Sequence, residues 1–378
     1  MTDDIRPFTV AVSDDEIADL RDRLARTRWP EAEVVDDWSQ GIPLSYTQEL
    51  CAYWADEYDW RRFEAEINAY DNFLTEIDGI DVHFMHVRSR HADARPMVLT
   101  HGWPGSVAEF MKVIDPLTNP TAHDGSADDA FHLVIPTLPG FGWSGKPTAP
   151  GTSVEKIGEM WHTLMTRLGY DTYVAQGGDW GAVVTSAMGV QAPDGLEAIH
   201  INMPVSPPRP DQMEPIDEIE ERVLELSAYY QNIESGYARI QGTRPQTLGY
   251  ALVDSPAGQA AWIAEKMHGW TENDGHPESA LTRDEILDNI SINWFSAAAA
   301  SSGRIYWESF GGAPRNPVEV PTGCSMYPGE IITTSRRWAE NRYKNIQYWN
   351  HVDRGGHFAA WEVPDLFVAE LRAAFQVL

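Results

Sequence analysis

Five residues, Gly177-Gly178-Asp179-Trp180-Gly181, set an acidic side chain among small neighbours where one type of periodicity gives way to another. Residues 171–176 read as a short strand, and residues 182–190 as the start of a buried helix. A sharp strand-to-helix turn needs small residues beside its central one, because larger side chains would clash with the tight backbone. Aspartate is ionised at neutral pH, so it attacks carbon without a base to deprotonate it. The product is an alkyl ester on the protein, which water must then cleave. That chemistry suits opening an epoxide or displacing a halide, and it suits peptide hydrolysis poorly.

Two more segments supply what such an ester would need. In 96–106 an apolar strand runs into His101-Gly102-Trp103-Pro104-Gly105-Ser106, a turn whose proline and glycines fix an unusual backbone. There the Trp103 N–H is expected to donate to the oxyanion formed when water attacks the ester, with the Trp180 N–H as second donor. His101 is expected to be a turn residue with no proton to transfer. In 351–362, His357 follows the pair Gly355-Gly356 ahead of a helix near Pro364, which suits a general base that activates water. Such a base needs a carboxylate to orient it. Glu330, after the strand-like 322–327 and the turn Pro328-Gly329, is the choice; Asp353 is the rival, nearer in sequence and placed in a loop. The order Asp179, Glu330, His357 is the nucleophile, acid, base order of the α/β-hydrolase fold.

The elements that must hold these groups fall into three parts without repeats. Residues 1–90 carry helix signals, with Ser13 capping an acidic first turn before Ile17, Leu20 and Leu24, and a second helical stretch over 46–58. A hairpin over 72–87 turns at Asp78-Gly79. Parallel strands are expected over 97–99, 131–135, 173–176 and 198–203, with a last pair around Cys324 and Ile346. Between them, residues 204–317 have helical periodicity and few strand signals, which is where a lid would be inserted, hinged at 204–210. Opening an epoxide puts charge on an oxygen that phenols can meet, and this stretch holds Tyr229, Tyr230, Tyr237, Tyr250 and Tyr306; spacing does not choose among them.

Taken together, His101–Ser106, Gly177–Gly181, Gly355-Gly356-His357-Phe358-Ala359-Ala360, Ile5-Arg6-Pro7-Phe8 and 24–30 make the chain resemble the epoxide hydrolases related to the microsomal enzyme, over essentially its whole length. The resemblance implies an α/β-hydrolase fold: a mostly parallel sheet with helices on both faces, a helical cap and an N-terminal meander. Its parts would be 1–90 (meander and first strands), 91–203 and 318–378 (the two core halves) and 204–317 (cap). It also implies that Tyr237 and Tyr306 are the two phenols, since 234–241 and 302–308 look like the family's tyrosine-bearing segments. The implied activity is hydrolysis of an epoxide to a vicinal diol through an ester on Asp179. Two alternatives remain: a haloalkane or haloacid dehalogenase using the same nucleophile, and a catalytically silent small-molecule binding protein. Microsomal members carry a membrane-spanning segment ahead of the position of Ile5, and none is seen here.

Composition bears on partners. With 57 acidic against 28 basic residues, the chain would be repelled by nucleic acid and by anionic membrane, so neither is expected as a partner. Only Cys51 and Cys324 are present, which gives no disulfide framework and suits a reducing compartment. The first residues lack a basic and apolar leader, and a cytoplasmic protein is expected. No metal-ligand spacing and no phosphate-cradling loop appear, so no metal and no cofactor are expected; the partner is a small molecule, and a homo-oligomer is compatible with the sequence.

Overall fold

Met97, Val98 and Leu99 have no exposed surface, and this unbroken apolar run marks a strand buried on both faces. The computed structural model describes residues 4–309 and 316–378; residues 1–3 and 310–315, the latter within the expected 204–317 insertion, lie outside the described residues. Its strands are β1 (Ile5–Phe8), β2 (Asn72–Ile77), β3 (Ile80–Val87), β4 (Arg95–Thr100), β5 (Phe131–Pro136), β6 (Tyr173–Gly177), β7 (Leu196–Ile201), β8 (Thr322–Met326) and β9 (Ile346–His351). They form one sheet in the order β1-β2-β3-β5-β4-β6-β7-β8-β9. The first three neighbour pairs are antiparallel and the remaining five parallel. This is the α/β-hydrolase arrangement, and the carboxyl ends of β4, β6 and β8 lead directly into the loops that matter below.

The hairpin turns where expected, with Asp78 and Gly79 at φ 52° and 80°, as a tight two-residue turn demands. Its edge is covered, however: β1 pairs antiparallel with β2, so the leader contributes a strand as well as helices. Pro7 lacks an N–H, and an edge strand is where that omission costs least. Helix Asp14–Ala25 has the full capping box of Ser13 and Glu16. The second helix spans Leu44–Asp56, beginning earlier than expected because Pro43 serves as its N-cap. A third, Trp60–Asn68, was not expected; Trp60, Phe63 and Ile67 are its buried residues, and the Asp59 side chain caps it.

These leader helices grip the long insertion between β7 and β8. Trp54 Nε1 donates to Ser291 Oγ at 2.9 Å, and the Tyr58 hydroxyl donates to Asp288 Oδ1 at 2.7 Å. Arg62 pairs with the same Asp288 carboxylate. Both acceptors lie on helix Arg283–Phe295, and Asn289 of that helix donates to Pro104 O at 2.9 Å. The leader therefore braces the insertion, and the insertion braces the Trp103 loop. Among the described residues, no helix is long and apolar enough to cross a membrane.

The Asp288 carboxyl is pushed up to about 6, first by burial and against the pull of Arg62 and Tyr58. A folded-state value above the unfolded one means stability is lost as pH rises through it. Arg62→Leu removes the compensating cation, so we expect a loss of about 2 kcal/mol that is larger at pH 8 than at pH 5. Chemical denaturation at the two pH values checks this, and Asp288→Asn in the same protein should recover most of the loss.

Candidate active site

The site is built where strand, turn and helix meet without space for side chains. Asp179 opens helix Asp179–Gln191 at φ 49°, a left-handed conformation that costs a non-glycine residue on the order of 1–3 kcal/mol. The backbone is held there by close approach. A Cβ on Gly181 would lie 2.0 Å from Thr100 O, and one on Gly177 would lie 2.2 Å from the Gly181 carbonyl. A Cβ on Gly102 would lie 2.1 Å from Asp179 Oδ1, so that glycine clears the path of the carboxylate itself. The helix begins at the acidic residue, three positions ahead of the expected start, because extended Gly178 already serves as its N-cap.

Asp179 is held on two sides. The Trp103 N–H donates to Oδ1 at 2.7 Å, and His357 Nε2 stands 3.3 Å from Oδ2. The other ring nitrogen, Nδ1, is 2.6 Å from Glu330 Oε1, an oxygen that also accepts from the Ile331 N–H at 2.7 Å. Asp179, His357 and Glu330 thus form a continuous line in a buried setting. The Trp180 N–H belongs to the first turn of its helix, where backbone donors have no intrahelical partner. Asp353, the rival carboxylate, is exposed. His101 is buried, with Nδ1 2.9 Å from Gly102 O and Nε2 accepting from the Leu138 N–H at 3.2 Å; burial lowers it to about 4, which keeps it neutral.

Burial by itself would lower the proton affinity of His357. The charge of Glu330 and the hydrogen bond to Asp179 outweigh it and hold the imidazole well above its usual range. Facing this line are two tyrosines from the insertion, Tyr237 on helix Gly236–Thr243 and Tyr306 on helix Ala299–Ser309. Their rings lie 5.6 Å apart and almost perpendicular. Tyr237 stacks on Trp103 at 4.8 Å, and Tyr306 meets Trp180 edge-on at 4.8 Å. Burial first, and then neighbouring groups including Asp179, raise both phenols well above 10, so they remain donors. Lys266, buried and paired with Glu234 and Glu265, places its ammonium 4.9 Å from the Tyr237 ring.

Three neighbours of this line escaped the sequence reading as site residues. Tyr230 sits in a π-helical turn, and its hydroxyl is 3.1 Å from that of Tyr237; a π-turn leaves no trace in residue spacing. Glu109 follows the Trp103 loop in a short 3-10 turn. Glu362 accepts from the N–H groups of Glu272, Phe358 and Gly356 at 2.7, 2.9 and 3.1 Å, clamping the loop that bears His357. The His357 N–H itself donates to Trp270 O at 2.9 Å, which ties this loop to the insertion. Acidic spacing after a histidine gives no hint of such a clamp, since two of its donors flank His357 and the third is ninety residues away in sequence. Among the described residues, no group of three or more His, Cys, Asp or Glu could hold a metal ion.

Comparison with known proteins places the whole chain in one company. Residues 5–110 match the family model described as the epoxide hydrolase N terminus, and residues 95–238 match that of the alpha/beta hydrolase fold. A Stigmatella aurantiaca protein, provisionally named an epoxide hydrolase, is 52% identical over 99% of this chain and 85% of its own length. Epoxide hydrolase 1 of Sus scrofa is 34% identical, with 97% of this chain and 88% of the relative covered. Among solved structures, the juvenile hormone epoxide hydrolase of the silkworm Bombyx mori superposes with a TM-score of 0.90 at 31% identity, covering 99% of this chain and 94% of that one.

The Glu362 clamp yields a direct expectation. Glu362→Gln sets an amide against three backbone donors and should cost about 1–3 kcal/mol in stability, read by denaturant unfolding. Turnover should fall more than substrate affinity, because the loop it holds carries His357.

Proposed function

We propose the following reaction for a chain that belongs to the epoxide hydrolase family: an epoxide opens onto Asp179, and water then cleaves the resulting ester to release a vicinal diol. The observation that carries this reading is the single line of contacts from Asp179 through His357 to Glu330, with the paired rings of Tyr237 and Tyr306 facing it across Trp103 and Trp180. In the first step Oδ2 of Asp179 attacks a ring carbon while Oδ1 stays on the Trp103 N–H. The ring oxygen gains charge as its bond breaks, and the hydroxyls of Tyr237 and Tyr306 donate to it. Their raised proton affinity makes them hydrogen-bond donors at neutral pH rather than phenolates.

The second step requires His357 to change role. Before substrate reacts, the charges of Asp179 and Glu330 hold it as imidazolium. Ester formation removes the Asp179 charge, so the imidazole loses one of the two groups that kept it protonated. Its proton affinity therefore falls, its proton passes by way of the phenols to the alkoxide left by ring opening, and the neutral imidazole that remains is the base, kept oriented by Glu330. Water activated by His357 attacks the ester carbonyl carbon, and the N–H groups of Trp103 and Trp180 hold the oxyanion. Halide displacement uses the same nucleophile but gives the paired phenols no task, and the full line of groups argues against a silent binding protein.

In this reading 204–317 acts as a cap that carries the phenols, over core halves 91–203 and 318–378 that carry Asp179, Glu330 and His357. Residues 1–90 brace the cap. A small-molecule epoxide is the partner, and the acidic composition with two buried free thiols supports a cytoplasmic setting.

His357→Gln should leave the first step intact and trap the ester. Intact-protein mass spectrometry after exposure to styrene oxide should then show a stable adduct of one substrate mass; substrate binding without any adduct would overturn the assignment. Tyr237→Phe and Tyr306→Phe should each slow ester formation by about 10²-fold, measured in single-turnover experiments.

A further inference from the structure

The reaction outlined above leaves one carboxyl beside its centre without a task. Glu109 stands in the turn Val107–Phe110, directly after the loop that presents the Trp103 N–H. It shares a cavity of about 20 Å³ with Trp103, Gly178, Asp179, Asn202 and His357. A water molecule needs roughly 10–15 Å³ and two to four polar partners, so this cavity has room for one and offers it partners. The position of the carboxyl is fixed by the loop: a Cβ on Gly105 would lie 1.4 Å from Glu109 Oε1. The glycine of the Trp103-Pro104-Gly105 turn is thus needed to let that carboxyl lie against the backbone. Burial pushes Glu109 up to about 8, His357 pulls it down and Asp179 pushes it up further. Held neutral at pH 7, it sits beside the nucleophile without repelling it, and its carbonyl oxygen can still accept a hydrogen bond.

We propose that Glu109 and His357 together seat the hydrolytic water, each accepting one of its hydrogens, so that the oxygen lone pair faces the carbonyl carbon of the Asp179 ester. The inference rests on the ester route of the preceding section. As the new bond forms between the water oxygen and that carbon, one O–H bond breaks and its proton passes to His357 Nε2. The carbonyl electron pair moves to Oδ1, held by the Trp103 and Trp180 N–H groups. When the pair returns, the bond to the alkyl oxygen breaks, and that oxygen takes the proton from His357 as the diol leaves. The second hydrogen, kept in place by Glu109, remains on the regenerated carboxyl and is then passed to His357, which restores the starting charge. Glu109 is accordingly a positioning residue for the second step alone.

Single-turnover reactions with styrene oxide, quenched and read by intact-protein mass, measure ester formation and ester decay separately. Glu109→Leu keeps the shape but has no acceptor; ester decay should slow by about 10²-fold while formation changes no more than about twofold. Glu109→Gln retains an acceptor oxygen and should decay within about fivefold of the unsubstituted protein, a rescue that a purely structural role would not require. The proposal is overturned if Glu109→Leu decays normally, if it slows both steps alike, or if Glu109→Gln is as slow as Glu109→Leu. Should Glu109→Leu not fold, Glu109→Ala is read in the same way. Absence of ester in His357→Gln would count against the ester route itself, whereas ester that forms there and decays normally in Glu109→Leu counts against this inference alone.

Discussion

Two carboxylates share one buried imidazole, and most of the structure is arranged to make that tolerable. A charged His357 in a buried site would be costly without compensation. Glu330 and Asp179 supply it from opposite ends of the ring, at 2.6 and 3.3 Å. Each carboxylate is in turn steadied by backbone N–H groups, Glu330 by Ile331 and Asp179 by Trp103. While Asp179 is charged, two anions hold the proton on the imidazole. Alkylation of Asp179 removes one of them and lowers the proton affinity of His357, so the same electrostatics that stabilise the resting site also time the appearance of the base.

Such a line must be held to fractions of an ångström, and the holding comes from three separate parts of the chain. The elbow is set by backbone packed on backbone at Gly177, Gly181 and Thr100. The His357 loop is pinned by Glu362 from its own helix and by Trp270 and Glu272 from the insertion. The Trp103 loop is pinned by Asn289, whose helix is gripped by Trp54, Tyr58 and Arg62 of the leader. A consequence is that the insertion bearing the phenols and the loop bearing His357 are mechanically continuous. The rings of Trp103, Tyr237 and Trp270 pack on one another, and Trp270 meets the His357 ring edge-on at 5.0 Å.

The line of Asp179, His357 and Glu330 was legible in the sequence because its parts obey local rules. Glycines flank Asp179 since the turn has no room for side chains, and Glu330 follows a strand-ending turn that points it into the site. The parallel strands were legible from unbroken apolar runs such as 97–99. The less visible parts are those fixed by contacts distant in the chain. Glu109 looks like one more acidic residue until the fold brings it beside His357, and Glu362 until backbone donors from two segments converge on it. The strand at Ile5–Phe8 is short and contains a proline, and only its partner β2 makes it a strand. Helix Trp60–Asn68 did carry a signal in the spacing of Trp60, Phe63 and Ile67, masked by its brevity. Spacing did not choose among the tyrosines of the insertion, because each is equally plausible as packing; the resemblance of 234–241 and 302–308 pointed to Tyr237 and Tyr306, whose rings pack on Trp103 and Trp180.

The central claim is that Asp179 becomes an ester carbon that water attacks. One turnover of styrene oxide in water enriched in heavy oxygen, with protein in excess, tests it most directly. The account predicts that the label enters the Asp179 carboxylate, found by peptide mass spectrometry, while the diol from that first turnover carries none. Label appearing at once in the diol, with Asp179 unlabelled, would mean that water attacks the epoxide itself and would contradict the account.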